Sequence, residues 1–148
     1  MNAAEITTFI DGAKRYFSTV SDVGVEVGTP YLIEPEETPA YDYTSIIGIS
    51  GVRKGCVYFS APRVLLRHLL ISLGESSGDQ ALLGDVVGEV ANTISGNARS
   101  TFGADFMISV PVVVNGRPES IRLPRRLQPY VIPISWNQYK ASLVVAIE

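Results

Sequence analysis

Asp85, Glu89 and Asn92 follow one another at i, i+4 and i+7, and Gly96 continues the row at i+11. On a helix turning about 100° per residue these four share one side, while Leu83, Val86, Val87, Val90, Ile94, Ala98 and Thr101 share the other. A partner that meets the polar side finds a carboxylate beside a carboxamide. An amide cannot abstract a proton, yet it donates and accepts hydrogen bonds at once, which is what orienting a water requires. The chemistry within reach is positioning, not general-base catalysis. Taken alone the pair is a weak signal, because a solvated helix face commonly carries a Glu and an Asn one turn apart.

The neighbours of these residues are unusual for a solvated face. Gly84, Gly88, Ser95 and Gly96 flank the polar row where Lys, Glu or Ala usually stand. Each interior glycine weakens a helix by about 0.5–1 kcal/mol relative to alanine. Either the face makes room for the backbone of a partner, or the glycines pack on the preceding helix of the same domain. Helical periodicity leaves these two readings level.

The elements that must position this helix are legible from pattern. Ile6, Phe9, Ile10, Ala13, Phe17 and Val20 predict a first amphipathic helix over 3–20. Gly28, Pro30, Pro35 and Pro39 limit the next stretch to a short strand near 25–33 and an acidic loop. The runs 45–50 and 55–60, joined through Gly51 and the basic pair Arg53-Lys54, predict a β-hairpin. Pro62 suits the first turn of a second helix, which carries Val64, Leu65, Leu69, Leu70 and Leu73 and stops near Gly74. Asp79 is placed to cap the motif helix, and Gly103 to end it after Phe102. Strands are expected over 106–114, near 120–123, over 130–136 and over 142–147, with Pro111 and Pro133 at an edge or a bulge. The order predicts an α+β domain, an antiparallel sheet with helices packed on it. Residues 1–148 are expected to form this one domain.

Composition narrows the function classes. The 148 residues are 46% hydrophobic and 18% charged, with a net charge of −3. That balance argues against nucleic acid, whose phosphates call for clustered Lys and Arg. The low charge content leaves apolar surface for a second subunit. Cys56 is the one cysteine, so no internal disulfide forms and a cytoplasmic location is expected. No apolar run approaches the roughly 18 residues of a membrane span, so no membrane partner is expected. His68 is the one histidine, which removes zinc sites of ordinary spacing and leaves no metal ligands to assign. It is expected to be structural, as is Cys56 inside its strand. Neither a Walker-type loop nor a dinucleotide glycine pattern is present.

Asp85, Glu89 and Asn92, followed by Gly96-Asn97-Ala98, resemble the Asp/Ser-x-x-x-Glu-x-x-Asn signature of the CheC/CheX/FliY phosphatases of bacterial chemotaxis. The order of elements is similar to the CheX-type members, down to the Pro-Ile-Ser run at 133–135. The second helix, 62–73, has no Glu-x-x-Asn, so one site is carried over, not the two of CheC-type members. Ala91 stands where the family commonly has glycine. The resemblance implies a CheC-like fold and hydrolysis of the aspartyl phosphate of a CheY-like response regulator. Glu89 and Asn92 would be catalytic, with Asp85, Gly88 and Gly96 meeting the partner. It implies no cofactor of the chain's own, because the response regulator supplies Mg²⁺, and it implies a homodimer. The alternative is a non-catalytic adaptor that binds a receiver domain or a flagellar-switch component through the same face.

Overall fold

A computed structural model describes residues 1–75, 79–116, 123 and 126–148, with Glu36 described by its backbone alone. The chain opens with α1 (Ala3–Val20), whose start is fixed by a capping box: Asn2 Oδ1 accepts from the Glu5 N–H at 2.9 Å, and Glu5 Oε1 accepts from the Asn2 N–H at 3.0 Å. Short strands β1 (Val25–Val27) and β2 (Tyr31–Leu32) follow. The expected hairpin is β3 (Tyr43–Gly51) with β4 (Gly55–Ala61), and helices α2 (Arg63–Ser72) and α3 (Gln80–Phe102) come next. A 3-10 turn at Pro35–Glu37 lies between β2 and β3, and strands β5 (Phe106–Ile108), β6 (Val112–Asn115), β7 (Tyr130–Trp136) and β8 (Tyr139–Ile147) complete the described elements.

All pairings are antiparallel, in the order β1-β7-β8-β4-β3-β5, with β2 also on β7 and β6 also on β3. The three helices cover one face. Val57 and Phe59 of β4 and Leu143 and Val145 of β8 point into the main core with Phe9, Phe17, Leu65, Leu69, Val90 and Ile94. The alternate residues Tyr58 and Val144 point the other way, into a small cluster with Val131, Ile33, Ala40, Ile46 and Leu123. Strand alternation thus gives both faces apolar side chains, which is why β8 reads as a nearly unbroken apolar run.

Both edges of the sheet are broken strands. The single strand expected near 25–33 is two, because β1 pairs with β7 at 134–136, β2 pairs at 130–131, and Pro133 lies between. The Pro133 carbonyl accepts from the Gly28 N–H at 2.8 Å, so the missing proline N–H falls in the gap between the two strands. The strand expected over 106–114 is also two. Ile49 pairs with Ile108 and Ile46 with Val112, so Ser109, Val110 and Pro111 face only Ile47 and Gly48. That is a one-residue bulge at the edge, where Pro111 can forgo its donor.

Other boundaries shift for local reasons. The last strand starts at Tyr139, not 142, because Asn137 (φ 50°) and Gln138 (φ 70°) make a tight turn without the glycine that usually announces one. Pro62 precedes α2 as its N-cap, and its carbonyl accepts from the Leu65 N–H at 3.1 Å. The strand expected near 120–123 lies outside the described residues except for Leu123.

Gly55 tests the hairpin's closeness to β8. Its φ is +151°, and a Cβ there would stand 2.0 Å from the Ala146 carbonyl oxygen. Gly55→Ala is expected to lower stability by about 1–3 kcal/mol. Gly24→Ala, with nothing within 4 Å of the added carbon, is expected to change it by less than about 0.5 kcal/mol; urea unfolding of both variants checks the contrast.

Candidate functional site

Helix α3 begins where Asp79 accepts from the Leu82 N–H at 2.9 Å and ends at Gly103, whose φ is 97°. Leu83, Val86, Val87, Val90, Ala91, Ile94 and Ala98 are buried against α1, α2 and the sheet. That burial fixes the helix's rotation about its axis. Asp85 and Glu89 are therefore exposed and Asn92 is half-buried, as their spacing predicts. Thr101 departs from the expected core stripe. It is exposed, at the last turn of α3, although its hydroxyl reaches that of the buried Thr8 of α1 at 2.9 Å.

The small residues divide. Gly88 and Ser95 are buried, and Gly84 and Gly96 are half-buried. A Cβ at Gly84 would lie 3.6 Å from Val113, and one at Gly88 would lie 3.6 Å from Val113 and 3.7 Å from Pro111. These two glycines thus receive the bulged edge of the chain's own sheet, β6 and the turn before it, and not α2. Gly96 differs, since nothing lies within 4 Å of an added carbon. It is the glycine of the row with open space above it.

Between α3 and that edge lies an open cleft of about 570 Å³. Gly84, Asp85, Gly88, Glu89 and Asn92 line one side, and Ile108, Ser109, Val110, Pro111 and Val113 line the other. The second wall is absent from the sequence expectation. Pro111 signals a bulge, but only the pairing of β5 and β6 with β3 turns that bulge toward α3.

Glu89 Oε1 accepts from the Thr93 hydroxyl at 3.0 Å, and no ion pair involves Glu89 or Asp85 among the described residues. Beneath them Tyr16 is buried; burial first, and the charge of Glu89 second, push its phenol up to about 12. The Asn92 carboxamide makes no side-chain hydrogen bond among the described residues, whereas Asn97, next to the row, accepts from Arg15 at 2.8 Å. Among the described residues the face thus holds two carboxylates without an ion pair and one amide whose donors and acceptor are uncommitted.

Away from the cleft, His68 packs edge-on against Trp136, with Nδ1 3.1 Å from the Tyr139 hydroxyl. Burial pushes the Cys56 thiol up to about 11, which suits an unreactive strand residue. Among the described residues no group of three or more His, Cys, Asp or Glu is placed to hold a metal, and no helix is long and apolar enough to cross a membrane.

An α+β domain with one acidic-and-amide helix face over an open cleft is the class of protein defined here. Residues 43–135 match the family model described as chemotaxis phosphatase CheX, and the chain belongs to that family. No curated protein matches it significantly. Among solved structures it is similar to a CheC-like superfamily protein from Shewanella sp. PV-4, at 26% identity and a TM-score of 0.85 over 100% of this chain and 99% of that one. It is similar to the chemotaxis protein CheX from Desulfovibrio desulfuricans, at 24% identity and a TM-score of 0.85 over 98% and 99%. A chain of the CheX–CheY–BeF₃–Mg²⁺ complex from Borrelia burgdorferi shares the fold, at 19% identity and a TM-score of 0.78 over 97% of each. The expected fold is the observed one: helices on one face of an antiparallel sheet, CheC-like.

Because Gly96 sits in open space on a helix interior, Gly96→Ala is expected to raise stability by about 0.5–1 kcal/mol, read as a higher urea midpoint. An unchanged or lower midpoint would mean that the position is not open.

Proposed function

We propose that residues 1–148 act as one cytoplasmic phosphatase domain that hydrolyses the aspartyl phosphate of a CheY-like response regulator. The observation that carries this reading is the pairing of an uncommitted Asn92 carboxamide with an unpaired Glu89 carboxylate, one turn apart on an open wall. Family membership supports the reaction class, and the Borrelia burgdorferi complex supports the kind of partner.

The division of labour follows from the groups. Hydrolysis of an acyl phosphate mainly requires a water held in line with the breaking bond. Asn92 can accept from that water and donate to a phosphoryl oxygen together. Glu89, about 4.5 Å away along the helix axis, pairs with the receiver's active-site lysine and sets the register of the docked helix. Asp85 extends the negative row that meets the partner, and Gly96 allows its backbone to approach. Gly88 shapes the floor of the cleft. The receiver supplies Mg²⁺, and this chain contributes no metal. A homodimer fits a surface with 18% charged residues in the whole chain.

The test is phosphate release from Mg²⁺-loaded, phosphodonor-charged response regulators of the same organism. Wild type is expected to accelerate release from one of them. Asn92→Ala is expected to lose about a hundredfold or more in rate while still binding. Glu89→Lys, which sets like charges together, is expected to weaken binding about a hundredfold. Full activity of a folded Asn92→Ala protein would overturn the mechanism. Binding without hydrolysis by wild type would instead identify an adaptor.

A further inference from the structure

The motif accounts for one wall of the cleft only. The opposite wall is built by the bulge at 109–111, and three features hold it. The Ser109 N–H donates to the Gly48 carbonyl at 3.0 Å, the Ser109 hydroxyl oxygen accepts from the Gly48 N–H at 2.8 Å, and Pro111 has no N–H to leave unsatisfied. Val110, between them, pairs with no strand and is 83% exposed, the most exposed large hydrophobic side chain among the described residues.

A single exposed valine needs no explanation in itself. This one stands at the mouth of the cleft that Glu89 and Asn92 line, and an edge bulge is a device for re-aiming a side chain. Val110 and Asn92 line the same open cleft, so a receiver surface seated in that cleft to bring its phosphoryl group to Asn92 has Val110 at its border. The polar wall offers a carboxylate and an amide, which any surface carrying a lysine beside a phosphoryl group can satisfy, so it selects weakly among such surfaces; an apolar contact beside it would both add selectivity and exclude water from the pair.

We infer that Val110 is a specificity-determining contact residue, which seats an apolar side chain of the phosphorylated receiver domain beside its phosphorylation site. This rests on the function proposed above. Val110 acts on affinity and touches none of the reacting atoms, so its loss moves KM and leaves kcat in place, whereas loss of Asn92 does the reverse. Strand β6 supplies a control in Val112, which is 62% exposed but does not line the cleft.

The experiment titrates the protein with Mg²⁺-loaded, beryllofluoride-charged receiver domains of the same organism and follows dephosphorylation of the phosphodonor-charged forms. Val110→Ser is expected to raise Kd and KM about tenfold, the scale of one lost valine contact, with kcat within about twofold of wild type. Val110→Ile is expected to retain wild-type values, as is Val112→Ser. Circular dichroism and the thermal midpoint check that each variant is folded. Unchanged binding by Val110→Ser, or an equal loss in Val112→Ser, would overturn the inference while leaving the phosphatase reading intact. A wild type that binds a receiver through Val110 yet does not hydrolyse would keep the inference and overturn the phosphatase reading. A wild type that binds no receiver would overturn both.

Discussion

Burial of one stripe of α3 is the constraint on which the site depends. Leu83, Val86, Val87, Val90 and Ile94 are each at most 4% exposed. At about 1.5–3 kcal/mol per buried side chain they contribute roughly 8–15 kcal/mol before the entropy of ordering is counted. The interior glycines Gly84, Gly88 and Gly96 weaken the helix by about 1.5–3 kcal/mol together. Packing wins by a wide margin, so the helix tolerates residues that an isolated peptide would not. Because the stripe can face the sheet in only one rotation, Asp85, Glu89 and Asn92 have no freedom to turn inward.

The same packing leaves the carboxylates of the polar row without an ion pair among the described residues. Arg53 is committed to Glu5, the Glu148 carbonyl and the ring of Phe102, and Arg15 to Asn97, so neither is spent on the carboxylates of the cleft. Leaving exposed carboxylates unpaired sacrifices little stability in water. Once a partner covers them, the lower local dielectric strengthens any pair they make. A face that is nearly neutral for folding can thus be decisive for binding.

The edge of the sheet completes the cleft through a conflict between two ordinary rules. The sequence from Phe106 to Val114 is strongly strand-forming, yet Pro111 cannot serve as a donor along β3. The chain resolves this by slipping one residue, so that Phe106 enters the core before the slip and Val113 faces the α3 glycines after it. Gly84 and Gly88 have that slipped edge as their neighbour, at a distance that is ordinary contact for an added carbon, whereas Gly96 lies beyond the reach of β6 with open space above it.

How much of this was legible in the linear pattern follows from range. Helix limits at Asp79 and Gly103 depend on groups within four residues, so they can be read directly, and so can the i, i+4, i+7 row, since helical geometry converts spacing into direction. The hairpin of β3 and β4 is equally local. Tertiary structure alone decided what faces that row. Register between β3 and the two halves of its neighbour links residues about sixty positions apart, and a one-residue slip there exchanges inside for outside. The sequence by itself determined the chemistry of one wall, a carboxylate and an amide on a buried helix, because burial and periodicity are properties of the helix itself. The cleft, its apolar wall and the true neighbours of the glycines arise from contacts between distant segments, which no local pattern encodes.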